Sequence, residues 1–247
     1  MTTTPRLAAP LGDEGVVEPR QAGSVLVVQG REPWQVLMMR RPREADFAAG
    51  VYVFPGGSVH AEDGDLPDPV RGAALRELFE EVGILLARAG GPVRRFARDT
   101  DAARVREALG RGAGFWSALA ACDLQPAFDR LVFCTRWITP ERVRRRFDTR
   151  FYLARLPGGQ TIHPQPSEVV DWRWLTPEEA GSSSDVELIH ATRRILELVG
   201  AEGDASRLLA RLRRRRETPP VMPRILDAAD GHVQVVDDAT TLFPSRR

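Results

Sequence analysis

The chain of 247 residues contains no lysine; all 35 of its basic side chains are arginine. An arginine fork can hold a phosphate through two bonds at once. In a chain rich in alanine, glycine and proline a coding bias explains the choice equally well, so it carries no functional weight. Long apolar runs are also missing: none reaches the ~18 residues that a membrane helix needs, and no membrane partner is expected. Net charge is nearly absent at +1, so nothing global argues for nucleic acid or acidic lipid. Cysteine is scarce. Cys122 and Cys134 match no zinc spacing and make no disulfide framework. Two free thiols in a reducing compartment is the simpler reading. The opening MTTTPRLAAPLGDEG lacks the apolar stretch of a signal peptide, and the closing PSRR is no peroxisomal address. A cytoplasmic location is the resulting expectation.

What is present is the composition of a globular domain, 43% hydrophobic and 28% charged, at a length that suggests one core with embellishments. Short apolar runs at Val25–Val28 and Val36–Met39, joined by QGREPW, read as a hairpin. A third run at Val51–Phe54 stops at Pro55-Gly56-Gly57. Asp68-Pro69 opens a helix as N-cap and first residue, and Gly83 closes it. From Pro92 to Ala121 the pattern is helical and reads as an insertion. Strands resume at Leu131–Ile138, Thr149–Leu156 and Val169–Leu175, and Thr176-Pro177-Glu178-Glu179 is a capped helix start. Helices at about Val186–Val199 and Ala205–Arg215 and a strand at His232–Val236 complete the chain. Strands mixed with helices in this order predict an α/β layered domain. Residues 1–18 read as a flexible N-terminal tail and 19–200 as the domain. Residues 201–247 read as a C-terminal helix and extension packed on it.

The segment PVRGAALRELFEEV, Pro69–Val82, carries the chemistry. At about 100° per residue, Leu75, Leu78, Phe79 and Val82 share one side. Glu77, Glu80 and Glu81 share the other, at the spacing that brings side chains together. Like charges there repel, each close pair by a few tenths of a kcal/mol on an isolated helix. Such a face is often merely solvated, but two neighbours argue for more. Gly56-Gly57 offers a bare backbone just before the polar loop, and Arg76 sits beside the acids. Arg76 precedes Glu80 in the weaker orientation for helix support. Mg²⁺ or Mn²⁺, which prefer carboxylate oxygens and water, would offset the repulsion.

These residues resemble the signature of the Nudix hydrolase superfamily: Gly, five residues, Glu, seven residues, then Arg-Glu-apolar-x-Glu-Glu-x-Gly-apolar. The second half stands complete as Arg76-Glu77-Leu78-Phe79-Glu80-Glu81-Val82-Gly83-Ile84. In the first half Asp68 stands seven residues before Arg76 in place of the Glu, and ten residues separate it from Gly57, which reads as a five-residue insertion in the loop. The resemblance implies a Nudix-type α/β/α sandwich with a mixed β-sheet, here with a helical insertion and extra C-terminal helices. It implies that the Gly56 carbonyl, Glu77, Glu80 and Glu81 bind Mg²⁺ or Mn²⁺, with Glu80 and Glu81 taking part in catalysis and Arg76 orienting a carboxylate. The general base in this superfamily is often a Glu outside the signature; Glu168 is the candidate by position, and Glu81 the rival.

Further stretches, VLMMRRPREADFAAGVYVFPGGSVHAED, RRRFDTRFYLARLP and WRWLTPEEA, are similar to the branch containing the peroxisomal coenzyme A diphosphatases and their bacterial relatives. Coenzyme A or acyl-coenzyme A is therefore the expected substrate, with ADP-ribose or a sugar nucleotide as the alternative. Arg41 and Arg146 are candidate phosphate-binding residues. Trp34, Phe47 and Tyr52 could stack on a base, although core or edge packing explains them as well. His60, His163, His190 and His232 form no ligand pair. The expected partner is a small-molecule nucleotide, a homodimer being allowed for. A catalytically inactive nucleotide-binding regulator would typically have lost one of the helix acids or the Gly, and none is lost. An RNA-binding reading rests on the arginine runs at 142–146 and 211–216, which lack the interleaved aromatics that stack on bases.

Overall fold

Along β1 (Arg20–Gly30) Leu26 and Val28 point into one core and Val25 and Val27 into another, the period of two expected of a strand covered on both faces. The computed structural model describes residues 16–90, 95–215, 218–227 and 233–237. Most of the expected tail, and His232, lie outside them. After β1 come β2 (Trp34–Arg40), β3 (Tyr52–Val53), β4 (Gly56–Ser58) and α1 (Pro69–Val82). β5 (Ala87–Ala89) leads into the segment read as an insertion, which holds β6 (Arg95–Phe96), α2 (Asp99–Gly110) and α3 (Phe115–Ala121), and β7 (Leu124–Pro126) leads out of it. Then follow β8 (Val132–Ile138), β9 (Phe147–Arg155), β10 (Asp171–Leu175), α4 (Pro177–Ser182), α5 (His190–Gly200), α6 (Ala205–Arg213), β11 (Arg224–Asp227) and β12 (Val233–Val236).

The main sheet runs β10-β2-β1-β9-β8, with β3 on β2 and β4 on β1. Its central pair, β1 and β9, is parallel and the others are antiparallel. On one face α1 packs Val70, Ala74, Leu75, Leu78 and Val82 against Val25, Val27, Leu37 and Met39. On the other, Ile195, Leu196, Leu208 and Leu212 of α5 and α6 meet Leu26, Val28, Val36 and Met38. The architecture is an α/β/α sandwich around a mixed sheet. Among the described residues no helix is long and apolar enough to cross a membrane.

Helix α1 begins and ends where local chemistry says it should. Asp68 accepts a hydrogen bond from the Arg71 N–H, Pro69 takes the first turn, and Gly83 at φ 75° closes the helix by donating to Phe79 O. Phe79, expected on the sheet side, instead enters the core of the insertion with Leu85, Val105, Phe115 and Leu119. The insertion is not purely helical: a small sheet β6-β5-β7 accompanies α2 and α3. The segment expected to start a helix at Val186 is extended. Val186 and Leu188 are buried in alternation with exposed Asp185 and Glu187, Leu188 bridges Tyr52, and α5 starts at His190. Two further strands were not expected, β4 and β11, the latter paired with β12.

β4 decides where the site forms. It takes the first half of β1's edge (Ala22↔Ser58, Gly23↔Gly57, Ser24↔Gly56), whereas β2 takes the second half (Val28↔Val36, Gln29↔Gln35, Gly30↔Trp34). Where the two part, Pro55 O accepts from Val25 N at 2.8 Å and from Ser24 Oγ at 2.9 Å. The shared edge sets the glycines of β4 against the acidic side of α1. Leu78 is fully buried between α1 and the sheet. Leu78→Ala should therefore lower the unfolding free energy by about 2–5 kcal/mol in a urea titration. A change within about 0.5 kcal/mol, as for a surface site, would show that this contact does not hold the helix.

Candidate active site

Arg76 is completely buried, and its guanidinium is the hub of the site. Nε lies 3.3 Å from each oxygen of Asp63, and Nη2 donates to Asp63 Oδ2 and to the Ser58 carbonyl, both at 3.0 Å. Nη1 donates to Glu77 Oε1 at 2.9 Å and Glu80 Oε2 at 2.8 Å. Burial works against the cation, but the Asp63 hydrogen bonds and the charges of Glu77, Asp63 and Glu80 outweigh it and raise its pKa.

The three helix acids stand differently. Glu81 is buried; its Oε2 accepts the Gly56 N–H at 2.8 Å and its Oε1 lies 3.6 Å from Arg41 Nη1. Glu77 packs so close to Gly57 that a Cβ there would sit 2.4 Å from its carboxyl, so a larger residue would push that carboxyl from its place. Burial raises the pKa of all three. In Glu81 the repulsion of Glu77 adds to it, against the Gly56 N–H and Arg41, and the carboxyl rises well above 4.5. Glu77 and Glu80 each give one oxygen to Arg76, which leaves the second for another partner.

Asp63, not Asp68, is the acid of the first half of the signature. It stands after five residues from Gly57 (Ser58 to Glu62), is completely buried, and grips Arg76. The extra residues lie between Asp63 and Arg76, twelve instead of seven. Counting backwards from Arg76 lands on Asp68, whose side chain caps α1. Counting forwards from Gly57 finds Asp63. His60, given no role by spacing, holds Asp63 Oδ2 through its backbone N–H at 2.9 Å, and its ring Nε2 lies 4.0 Å from Glu77.

Glu168 lies exposed in a turn whose strand-like approach is tied to the end of α1: His163 N donates to Val82 O at 2.9 Å and Gln165 N to Glu81 O at 2.8 Å. Its charge acts on both Glu77 and Glu81. The structure thus brings Gly56, Arg41, Arg76, Glu77, Glu80, Glu81 and Glu168 into one corner. Arg146 is not among them. It is buried, donating to Thr139 O at 3.0 Å and Val17 O at 2.7 Å, so its guanidinium is spent on backbone and is not available to a phosphate. Trp34 and Tyr52 are core residues and Phe47 packs edge-on to Phe147 at 5.0 Å. Trp172 of β10 is an exposed aromatic, aligned with Met39 in the register.

Among the described residues no three His, Cys, Asp or Glu side chains form a ready-made ligand set, because Glu77 and Glu80 turn onto Arg76 and Glu81 onto Gly56. The donor chemistry still suits a hard divalent ion. Asp63, Glu77, Glu80 and Glu81 bring four carboxylates against the two guanidiniums of Arg41 and Arg76, and Glu77 and Glu80 each keep an oxygen of the kind such an ion prefers, with the His60 ring as the neighbouring nitrogen.

Fold and acidic helix together define a Nudix domain. A Nudix hydrolase from Alicyclobacillus acidocaldarius superposes with a TM-score of 0.66 over 78% of this chain and 96% of that one, at 24% identity. A family model described as the NUDT19 Nudix domain matches residues 61–192, and the chain belongs to that family. The Caenorhabditis elegans protein named "Putative nudix hydrolase 7" is 32% identical over 160 residues, 65% of this chain and 52% of that protein. The human acyl-coenzyme A diphosphatase NUDT19 is 34% identical over 133 residues, 49% of this chain and 36% of that protein. The chain therefore spans only part of the length of these relatives.

A pKa raised in the folded state means that the folded chain holds the Glu81 proton more tightly than the unfolded chain. Stability is then retained below 4.5, the ordinary value, and lost as pH rises towards the raised one. In metal-free protein Glu81→Gln should melt several degrees above wild type near pH 8, with the gap closing towards pH 4.5. Equal melting temperatures across that range would show that the Glu81 carboxylate bears no penalty for its burial.

Proposed function

We propose that this chain is a metal-dependent diphosphatase acting on a nucleoside diphosphate derivative, with coenzyme A or an acyl-coenzyme A as its substrate. The observation that carries the reading is the corner around Arg76, where carboxylates outnumber guanidiniums beside the bare backbone of Gly56. The substrate follows from the family and from the name of the human relative, an acyl-coenzyme A diphosphatase.

The Gly56 carbonyl and the carboxylates of Glu77, Glu80 and Glu81 would hold Mg²⁺ or Mn²⁺, oxygen donors throughout. Bound there, the ions supply charge neutralisation of the diphosphate and activation of the attacking water. Arg76 holds Glu77 and Glu80 in place. Arg41, part-exposed, has Nε anchored on Phe47 O and Nη1 facing Glu81, which leaves Nη2 for a phosphate oxygen. Glu168 takes the proton of the attacking water, and Glu81 is the rival for that task. The water oxygen bonds to one phosphorus, the bridging P–O bond breaks, and the bridging oxygen leaves on the second phosphate. From coenzyme A the products are adenosine 3′,5′-bisphosphate and phosphopantetheine.

Turnover should vanish in excess EDTA and return with Mg²⁺ or Mn²⁺; undiminished turnover in chelator ends the reading. Glu77→Gln and Glu81→Gln should each lose activity by at least about 100-fold, and near-wild-type rates in both would mean that the helix acids take no part in the reaction. Coenzyme A, its 3′-dephospho form and ADP-ribose, compared at equal concentration with products identified by mass, decide the substrate. If ADP-ribose is cleaved and coenzyme A untouched, the substrate assignment fails while the metal site stands.

A further inference from the structure

We propose that Trp116, on α3 of the inserted segment, is a positioning residue for the metal-binding carboxylates, acting through Asp63 and Arg76. This rests on the metal-site reading above. The indole Nε1–H of Trp116 donates to Asp63 Oδ1 at 3.1 Å. Asp63 is completely buried, so an oxygen that loses a donor there finds no water to replace it. Its Oδ2 is well supplied, by Arg76 Nη2 at 3.0 Å and the His60 N–H at 2.9 Å. Its Oδ1 has only Trp116 and the longer 3.3 Å contact to Arg76 Nε. The indole therefore fixes the plane of the carboxylate, and that plane fixes the guanidinium whose Nη1 holds Glu77 and Glu80.

Two other contacts show that the insertion grips this point and does not merely lie beside it. The Phe115 N–H donates to Glu62 Oε2 at 3.1 Å, so adjacent residues of α3 hold adjacent residues of the turn before α1. Phe79, one residue before Glu80, lies in the insertion's core with its ring 5.7 Å from Phe115. The Trp116 ring is itself fixed, edge-on to Phe115 at 4.8 Å and 6.2 Å from Phe128. Asp63 is also one methylene shorter than the glutamate of the superfamily signature. A shorter acid reaches the arginine with less freedom to adjust, so a second donor on its free oxygen has more to hold.

Trp116→Phe removes the N–H and keeps a ring in the same packing. Val105→Ala, in α2, loosens the insertion's core without touching Asp63. Mn²⁺ binding to the full chain is read from the paramagnetic resonance of free Mn²⁺, alongside melting temperature. Removing a group hydrogen-bonded to a ligand typically costs about 10–100-fold in metal affinity. Trp116 acts two hydrogen bonds further out, through Asp63 and Arg76, so its loss should weaken Mn²⁺ binding by roughly 3–10-fold. At saturating Mn²⁺ kcat should recover, a split that simple unfolding would not give. Val105→Ala should melt earlier and bind Mn²⁺ as wild type does. Wild-type affinity in Trp116→Phe, or equal weakening in Val105→Ala, overturns the proposal. If Trp116→Phe fails to fold, Mg²⁺ titration of the wild-type chain followed by NMR at the Trp116 indole N–H replaces it. A resonance that moves with metal supports the relay, and one that stays fixed at saturation overturns it. Glu81→Gln is the separate control. If it too binds Mn²⁺ as wild type does, the metal site itself lies elsewhere and both readings fall.

Discussion

An arginine side chain has five N–H donors and no acceptor, and in this chain all of those of Arg76 are committed while it is sealed from water. They go to Asp63, Glu77, Glu80 and the Ser58 carbonyl. A buried ion pair gives little stability by itself, because desolvation consumes most of the Coulombic gain, yet removing one partner typically costs about 3–5 kcal/mol. Arg76 therefore acts as a constraint: the turn at 61–63, the end of β4 and the acidic side of α1 must all come to it. The corner this creates is over-supplied with carboxylate, which is the electrostatic condition a divalent cation relieves.

That constraint explains why part of the site is legible in the sequence and part is not. The helix acids and Arg76 are legible because they share one helix, where spacing along the chain is spacing in space. The N-cap at Asp68 and the stop at Gly83 are local in the same way. Asp63 meets Arg76 across a loop, and a loop may lengthen on either side of the acid while the contact stays intact. Distance along the chain then identifies the residue only when counted from the side on which the loop has not lengthened, which is Gly57 on β4. Trp116 lies forty residues past Arg76, and no local pattern could connect it to Asp63.

The fold shows the same division. The main strands and α1 follow from period and caps. β4 escapes notice because Gly56-Gly57-Ser58 has no side-chain alternation to read, and Pro55-Gly56-Gly57 carries every mark of a turn. The chain pairs there because the bare backbone of Gly56 lets β4 lie against β1 where a Cβ would sit 2.4 Å from the Gly23 carbonyl oxygen. Arg146 illustrates the reverse error. An arginine run between two strands suggests a phosphate loop, but Arg146 turns inward and donates to the carbonyls of Thr139, just past β8, and Val17, ahead of β1. Residue type and position cannot distinguish a guanidinium facing solvent from one that closes the ends of strands.

Helix α1 also shows how a surface of like charge can be maintained. Left alone, the acids would unwind or rotate to separate, since each close pair is unfavourable by a few tenths of a kcal/mol. Here every direction of escape is closed. Leu75, Leu78 and Val82 are held by the sheet, and Phe79 by the insertion. Glu81 is held by the Gly56 N–H, and the carbonyls of Glu81 and Val82 by the backbone of Gln165 and His163. Burial of a Leu or Phe side chain contributes roughly 1.5–3 kcal/mol each, so the packing of these four residues exceeds the repulsion several-fold. The surplus is what allows the helix to keep its acids together, and the insertion that supplies part of it also supplies the hydrogen bond to Asp63.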